Sequence, residues 1–373
     1  MHNINFAVPC LLGVEGFIAD ELRSFDAQDV RAENGRVLFC GSEELIARVN
    51  ICSRFSERVQ ILLGEFEAHS FEELFQGTKS LPWEEWVGAE DAFPVKGYSL
   101  KSDLFSVRDC QSIIKKAVVE RLKDKYSLEW FSETGAVRQI QFAILQNRVT
   151  LLLDTTGVGL HKRGYRPEAK EAPIKETLAA ALCAASKLRP YHTFYDPMCG
   201  SGTIAVEGAL MARNIAPGLR RAFSAERWKQ IPHTIWAQER VRARDLEHPA
   251  PDFAAFGSEI NTEAVTLAQA TAERAGIADC VSFSVRDLAD FAPKTECGTL
   301  ICNPPYGERL LDPEQARALS RIMGKVFTQR RGWSYSIITP DVDFEGDFGR
   351  KADKRRKLYN GMIACTLYMY YKA

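Results

Sequence analysis

Residues 193–203 read TFYDPMCGSGT and run on into the apolar segment IAVEGALMARN. A short apolar strand stops at Asp196, crosses a glycine turn and enters a helix near Thr203. Glycines let a backbone approach a ligand closely. A lone G-x-G is also what a plain tight turn looks like, but the string D-P-x-C-G-S-G-T is more specific. It is not a phosphate loop, since the G-K-[ST] ending is absent, and not a full G-x-G-x-x-G. Around it, long helical segments (KETLAAALCAASKL, TEAVTLAQATAERAGI) alternate with short apolar runs (FAAFGSEI, VSFSVRD, GTLICNPP). Strands buried on both faces and separated by helices predict an α/β domain with a largely parallel sheet. Ligands of such sheets lie beyond the strand C-termini, so the functional candidates are the residues at those ends.

Three further ends follow. Glu259 closes FAAFGSE, where a carboxylate can accept both hydroxyls of a ribose or serve the helix opening near Thr262. Asp287 ends VSFSVRD and can accept from an exocyclic adenine amine or cap a helix. After GTLIC comes Asn303-Pro304-Pro305-Tyr306-Gly307-Glu308-Arg309. Prolines lack a backbone donor and fix φ, so the pair ends the strand and stiffens the residues after it. Asn303 Oδ1 and the Pro304 carbonyl can each accept one hydrogen of an amine, directing its lone pair, while Tyr306 can stack on a base. A strand-ending turn with a surface tyrosine is the plainer alternative.

The chain has 373 residues, enough for two or three domains, with 46% hydrophobic and 26% charged residues. Its formal charge of −1 means that a nucleic-acid partner must be gripped by local basic patches. The N-terminus lacks a basic, apolar leader pattern, and no apolar run reaches the ~18 residues of a membrane span, so a cytoplasmic protein is expected. Ten scattered cysteines without a C-x-x-C pair predict reduced, buried thiols and no metal site.

The first ~50 residues read strand, helix, strand. A helix from Glu44 follows, then ERVQILLGEFEA as a strand, and SFEELFQGTKSLPWEEW as an amphipathic segment with a serine N-cap. AFPVKGYSLKSDLF is extended, SVRDCQSIIKKAVVERLKDKY helical with a cationic outer face, and RQIQFAILQ and RVTLLLDTT are strands. GVGLHKRGYRPEAKEAP reads as a linker, which sets a boundary near residue 160. Residues between Asn214 and Pro251 look like an insertion in the second domain.

The order of glycine turn, two acids and N-P-P-Y resembles class I S-adenosylmethionine-dependent methyltransferases acting on exocyclic base amines. With NICSRFSERVQILLGEF, SLPWEEW, KSDLFSVRDCQSIIKKAVVERL, GLHKRGYRPEAKEAPIKETLAAAL and FGRKADKRRKLYNGMI, nearly the whole chain resembles the THUMP-domain bacterial RNA methyltransferases. That family includes the large-subunit (23S) ribosomal RNA guanine-N2 enzymes. The resemblance implies a ferredoxin-like piece at 1–44, a THUMP RNA-binding domain at 45–157 and, at 158–373, a Rossmann-like methyltransferase domain with a mostly parallel seven-stranded sheet. S-adenosylmethionine is the implied cofactor. Asp196, Gly200 and Gly202 would line its methionine half, Glu259 its ribose and Asp287 its adenine, with Pro197, Cys199, Thr203, Ile260 and Asn303 also implied in cofactor binding. Asn303, Pro304, Pro305 and Tyr306 would hold the target base.

Structured RNA, and large-subunit ribosomal RNA in particular, is the implied partner. Candidate phosphate contacts are Lys101, Lys115 and Lys116, then Lys162, Arg163 and Arg166 of HKRGYR, and Arg350, Lys351, Lys354, Arg355 and Arg356 of a basic run for which a solvated surface loop is the usual explanation and a phosphate grip the preferred one. No metal is needed for transfer from a sulfonium. Adenine N6 of DNA and guanine N2 of transfer RNA satisfy the same motif chemistry. No helix-turn-helix or finger signature accompanies it, which favours RNA. A catalytically idle assembly factor is disfavoured by the intact Asp196, Gly200, Glu259, Asp287 and Asn303. The chain ends at LYMYYKA, soon after its last strand, so no fused second methyltransferase domain is expected.

Overall fold

A computed structural model describes residues 3–166, 174–248, 252–306 and 313–371. Gly307, Glu308 and Arg309 of the proline lip, and PEAKEAP of the expected linker, lie outside the described residues.

The N-terminal half runs β1 (Ile4–Pro9), α1 (Glu15–Ser24), β2 (Gln28–Glu33), β3 (Arg36–Gly41), α2 (Glu44–Cys52), β4 (Gln60–Glu67), α3 (Phe71–Lys79), β5 (Val95–Leu100), α4 (Val107–Tyr126), β6 (Ile140–Leu145) and β7 (Arg148–Asp154). These strands form one seven-stranded sheet, ordered β2-β3-β1-β4-β7-β6-β5, joined across its middle where Phe6 pairs with Ile61. Alternate residues turn to opposite faces. Phe6, Val8, Phe39 and Ile61 enter the main core, while Ala7, Leu38 and Leu152 form a small separate cluster. Ser70 caps α3 through a reciprocal capping box with Glu73. The strand β2 has no signal in the sequence, because QDVRAE is an almost wholly exposed edge whose pairing with β3 alone makes it a strand.

The C-terminal half runs α5 (Glu176–Ala185), β8 (Thr193–Asp196), α6 (Thr203–Ala212), α7 (His233–Asp245), β9 (Ala254–Glu259), α8 (Thr262–Ala275), β10 (Val281–Val285), β11 (Gly298–Cys302), α9 (Pro313–Val326), β12 (Trp333–Thr339), α10 (Phe344–Phe348), β13 (Lys354–Asn360) and β14 (Ile363–Tyr370). Its sheet is ordered β10-β9-β8-β11-β12-β14-β13, with β8 to β12 parallel and β14 antiparallel to β12. Strand order reverses at β8, between β9 and β11, which opens a crevice beyond their C-terminal ends.

Two expectations change. The basic run is not a loop: Lys354–Asn360 is the edge strand β13, paired from Lys354↔Met369 to Asn360↔Ile363. Nor are residues 157–166 a free linker, since Leu160, Arg163 and Tyr165 are buried. The insertion also has a structural task. Glu239 of α7 takes two hydrogen bonds from Arg48 of α2, and the Gly218 amide donates to the Ile51 carbonyl, which fastens the two halves together.

Candidate active site

The four strand ends expected from the sequence lie side by side along the crevice. Asp196 is fully buried at the end of β8, and neither carboxyl oxygen has a hydrogen-bond partner among the described residues. Burial, with Glu259 adding like charge, pushes its pKa well above the carboxylate range, although the Met198 backbone N–H pulls the other way. A buried carboxylate without a partner is costly, so the position suits a ligand that brings donors or positive charge.

The turn after it is shaped by close approach. Gly200 and Gly202 have φ of +50° and +78°. A Cβ at Gly202 would lie 2.7 Å from the Phe283 ring and 3.0 Å from Ala268, so the turn presses on β10 and α8 as only glycine permits. Cys199 donates its backbone N–H to the Ser258 carbonyl, and burial raises its thiol far above the usual range. Pro197 and Thr203 flank the turn, and Thr203, the first residue of α6, is buried.

Glu259 ends β9. One oxygen accepts from the Gly200 amide (3.1 Å) and the other from the Ile260 amide (2.9 Å). The helix-capping task belongs instead to Asn261, which accepts from the Glu263 and Ala264 amides and leaves Glu259 to bridge two strand ends. Ile260 is 66% exposed, an apolar surface beside that carboxylate. Asp287 does cap: its Oδ1 accepts from the Ala289 amide at 2.8 Å, while its side chain stays exposed.

Immediately after β11, which is hydrogen-bonded to β8, Asn303 presents a buried Oδ1 with no partner among the described residues. Pro304 is buried and Pro305 exposed. Tyr306 is half-buried, and its hydroxyl accepts from Asn360 Nδ2 at 2.6 Å. Burial raises its pKa against the pull of that amide, which keeps it a neutral phenol. Nothing near Tyr306 in sequence announces Asn360. The N-G pair after Tyr359 signals a hairpin turn and no more.

The basic candidates divide into two groups. Lys101, Lys116, Lys162, Lys351 and Lys354 are exposed and have no ion pair among the described residues. The others are engaged within the chain. Lys115 donates to Glu133 (2.6 Å) and the Phe93 carbonyl. Arg163 is buried against Glu207 and the Arg54 carbonyl, so the expectation that it contacts RNA fails on burial. Arg166 donates to Thr203 Oγ1 (2.9 Å) and the Ile174 carbonyl at the entry to α6. Arg350 lies against the rings of Tyr335, Phe348 and Tyr370. Arg355 pairs with Glu345, and Arg356 donates to the Gly13 carbonyl while stacking on Phe17, joining β13 to the N-terminal half.

Glu207 and Tyr165 escape sequence reading, since a lone glutamate in an apolar helix carries no signal of its partner. The Tyr165 hydroxyl donates to Glu207 at 2.6 Å, beside Arg163. Among the described residues no group of three or more metal-ligating side chains occurs.

Residues 163–369 match a family described as RMKL-like, methyltransferase domain; residues 5–60 match an RlmL ferredoxin-like domain and 68–154 a THUMP domain. YpsC of Bacillus subtilis (strain 168), a proposed RNA methyltransferase by name, is 40% identical over 96% of this chain and 94% of its own length. The ribosomal RNA large subunit methyltransferase K/L of Shewanella baltica (strain OS155 / ATCC BAA-1091) is 31% identical over 98% of this chain and 53% of its own. The chain thus spans about half the length of the K/L enzymes it matches. SMU.472, a proposed methyltransferase solved with SAH, superposes with a TM-score of 0.95 at 39% identity, covering 100% of this chain and 99% of that one. A possible methylase from Clostridium difficile 630 gives 0.96 at 40% identity, covering 100% and 99%.

Proposed function

The chain belongs to the RMKL-like methyltransferase family, its methyltransferase domain preceded by RlmL ferredoxin-like and THUMP domains, and from that premise we propose that it methylates guanine N2 of 23S ribosomal RNA. The coarser reading, an S-adenosylmethionine-dependent RNA methyltransferase of the RlmKL type, rests on the family and on relatives such as YpsC and the SAH-bound SMU.472. The observation that carries the chemistry is a pair of buried side chains whose acceptors lack partners among the described residues, Asp196 (Oδ1/Oδ2) and Asn303 (Oδ1), at the C-terminal ends of the adjacent strands β8 and β11.

S-adenosylmethionine supplies an activated methyl group, so the protein's task is to position and desolvate. Asp196 would hold the positively charged methionine half, and Glu259, braced by the Gly200 amide, would accept from the ribose hydroxyls. Asp287 would read the adenine amine, with Ile260 as an apolar face. Asn303 Oδ1 and the Pro304 carbonyl each accept one hydrogen of the target amine, and the proton released on transfer passes to solvent. The Tyr306 ring, pinned through its hydroxyl, supports the base. Such a base must come from a loop or be flipped out of its stack. Residues 1–157 would hold the RNA and 158–373 transfer the methyl group.

The test is transfer of labelled methyl to unmodified large-subunit RNA, small-subunit RNA, transfer RNA and DNA in parallel, followed by nucleoside analysis. N2-methylguanosine in the large-subunit RNA is expected. N6-methyladenine in DNA, or N2-methylguanosine in transfer RNA alone, would overturn the substrate assignment.

A further inference from the structure

Away from the crevice, a cavity of about 460 Å³ opens where the C-terminal ends of α6 and α8 meet residues 163–165 and the start of the insertion. The glycine turn precedes the opposite end of α6, a ten-residue helix about 15 Å long, so this cavity is not the cofactor crevice.

Its lining is strongly cationic. Arg163, Arg213, Arg220, Arg221 and Arg274 line it against one carboxylate, Glu247. Arg163 is neutralised by Glu207 and Arg213 by Asp279. Arg220, Arg221 and Arg274 have no ion pair among the described residues. Arg220 donates to the Arg274 carbonyl at the end of α8, and Arg221 to the Val158 and Leu160 carbonyls. Those bonds explain where two of the side chains lie, but a carbonyl leaves their charge uncompensated. Burial above all, with Arg163 and Arg58 adding like charge against Glu176, pulls the Arg221 pKa down to about 10, which still leaves its guanidinium charged at neutral pH. Arg213 Nε is buried without a partner.

Guanidinium groups match phosphate oxygens with parallel N–H bonds. Ile215, Pro217 and Leu219 add an apolar wall on which a base can rest, and the volume falls within the range of small-ligand sites. We propose that this cavity binds a phosphate-bearing nucleotide unit, with its phosphate against Arg220, Arg221 and Arg274. The unit is either a free nucleotide or one nucleotide of an RNA strand. Only the second source rests on the function proposed above.

The full chain, saturated with SAH to fill the cofactor crevice, is titrated calorimetrically with GMP, AMP, guanosine and a single-stranded RNA 12-mer. The same titrations are run on Arg220→Gln/Arg274→Gln. Binding of a mononucleotide or the 12-mer that weakens at least tenfold in the variant, with guanosine inert, is expected. Mononucleotide binding identifies a free-nucleotide site, and binding of the 12-mer alone identifies an RNA-strand site. Arg274→Gln removes no side-chain hydrogen bond among the described residues and serves if the double variant unfolds. Absence of binding by all phosphate-bearing probes, or equal binding by variant and wild type, overturns the proposal. SAH affinity and methyl transfer are read separately, so nucleotide binding without RNA methylation would sink the proposed function and leave this site standing.

Discussion

Asn360 Nδ2 donates to the Tyr306 hydroxyl at 2.6 Å, tying the aromatic residue of the proline lip to the end of a hairpin strand 54 residues further along the chain. Under the proposed function, a ring held at its far end would lose little freedom when a base stacks on it, so the contact would pre-organise the pocket. Asn360→Ala and Tyr306→Phe should each lower kcat/KM about tenfold, roughly 1.4 kcal/mol, with SAH affinity unchanged. The double variant should be no worse than either single one, as for two ends of one interaction. Steady-state kinetics on the four proteins check this, and additive losses would show that the two residues act separately.

Asn303→Ala should reduce methyl transfer by about 10²–10³-fold, the usual cost of removing one positioned polar group at a reacting centre. SAH affinity should stay nearly unchanged. Single-turnover transfer and calorimetry separate the two, and an equal loss of both would move Asn303 from the target amine to the cofactor.

Asp196 has the opposite signature. Its raised pKa means that the folded chain binds its proton more tightly than the unfolded chain, so its contribution is full at low pH and is lost as pH rises above the ordinary carboxylate value. Without cofactor, Asp196→Asn should therefore be at least as stable as wild type at pH 8, with its advantage shrinking by pH 5, and should bind SAH far more weakly. Thermal melts at several pH values test the first point. A destabilised Asp196→Asn at pH 8 would mean that the carboxylate has a partner within the fold.

Glu57 provides a pH dependence of the other sign. Burial would raise its pKa, but His161, Thr177 and Lys175 outweigh it and hold the carboxyl at about 2 against an ordinary 4.5. A depressed carboxyl stabilises the fold above its ordinary value and loses that contribution as pH falls toward 2. Glu57→Gln should cost about 1–3 kcal/mol at pH 7, and the gap to wild type should shrink by roughly half at pH 3 and go on closing as pH falls toward 2. Denaturant unfolding at the two pH values measures it; an unchanged gap would remove the ion pair with Lys175 as the cause.

Among the basic residues, Lys351→Ala and Lys354→Ala should leave stability alone and weaken RNA binding. Each should also flatten the salt dependence of binding by about one unit of slope, the effect of leaving one phosphate without its cation. Arg163→Ala should instead cost about 3–5 kcal/mol of stability, because it leaves Glu207 buried without its cation. Salt titrations and unfolding curves distinguish the two classes. An Arg163→Ala protein of wild-type stability with weakened RNA binding would restore the role first expected of Arg163.

The strand ends were legible because their signals are local. Apolar runs of strand length alternate with helices, glycines at φ near +50° and +78° announce a close turn, and paired prolines stop a strand wherever they occur. Those features place Asp196, Glu259, Asp287 and Asn303 at strand termini before any contact is known. Asn261 and Glu259 show the limit: both lie at a helix start, and only the tertiary structure decided that the asparagine caps it while the glutamate turns to the Gly200 amide.

Lys162 and Arg163 are adjacent and equally basic in sequence, yet one is exposed and the other is sealed against Glu207. The polar edge β2 becomes a strand only by pairing with β3, and β13, read as a loop, is a strand because β14 lies beside it. Local backbone preference and hydrophobic period determined the order of elements and the candidates at their ends. Partner choice across long sequence separations decided which charges reach solvent, which acceptors stay open and what holds Tyr306, because burial and pairing are properties of the packed chain and not of any residue within it.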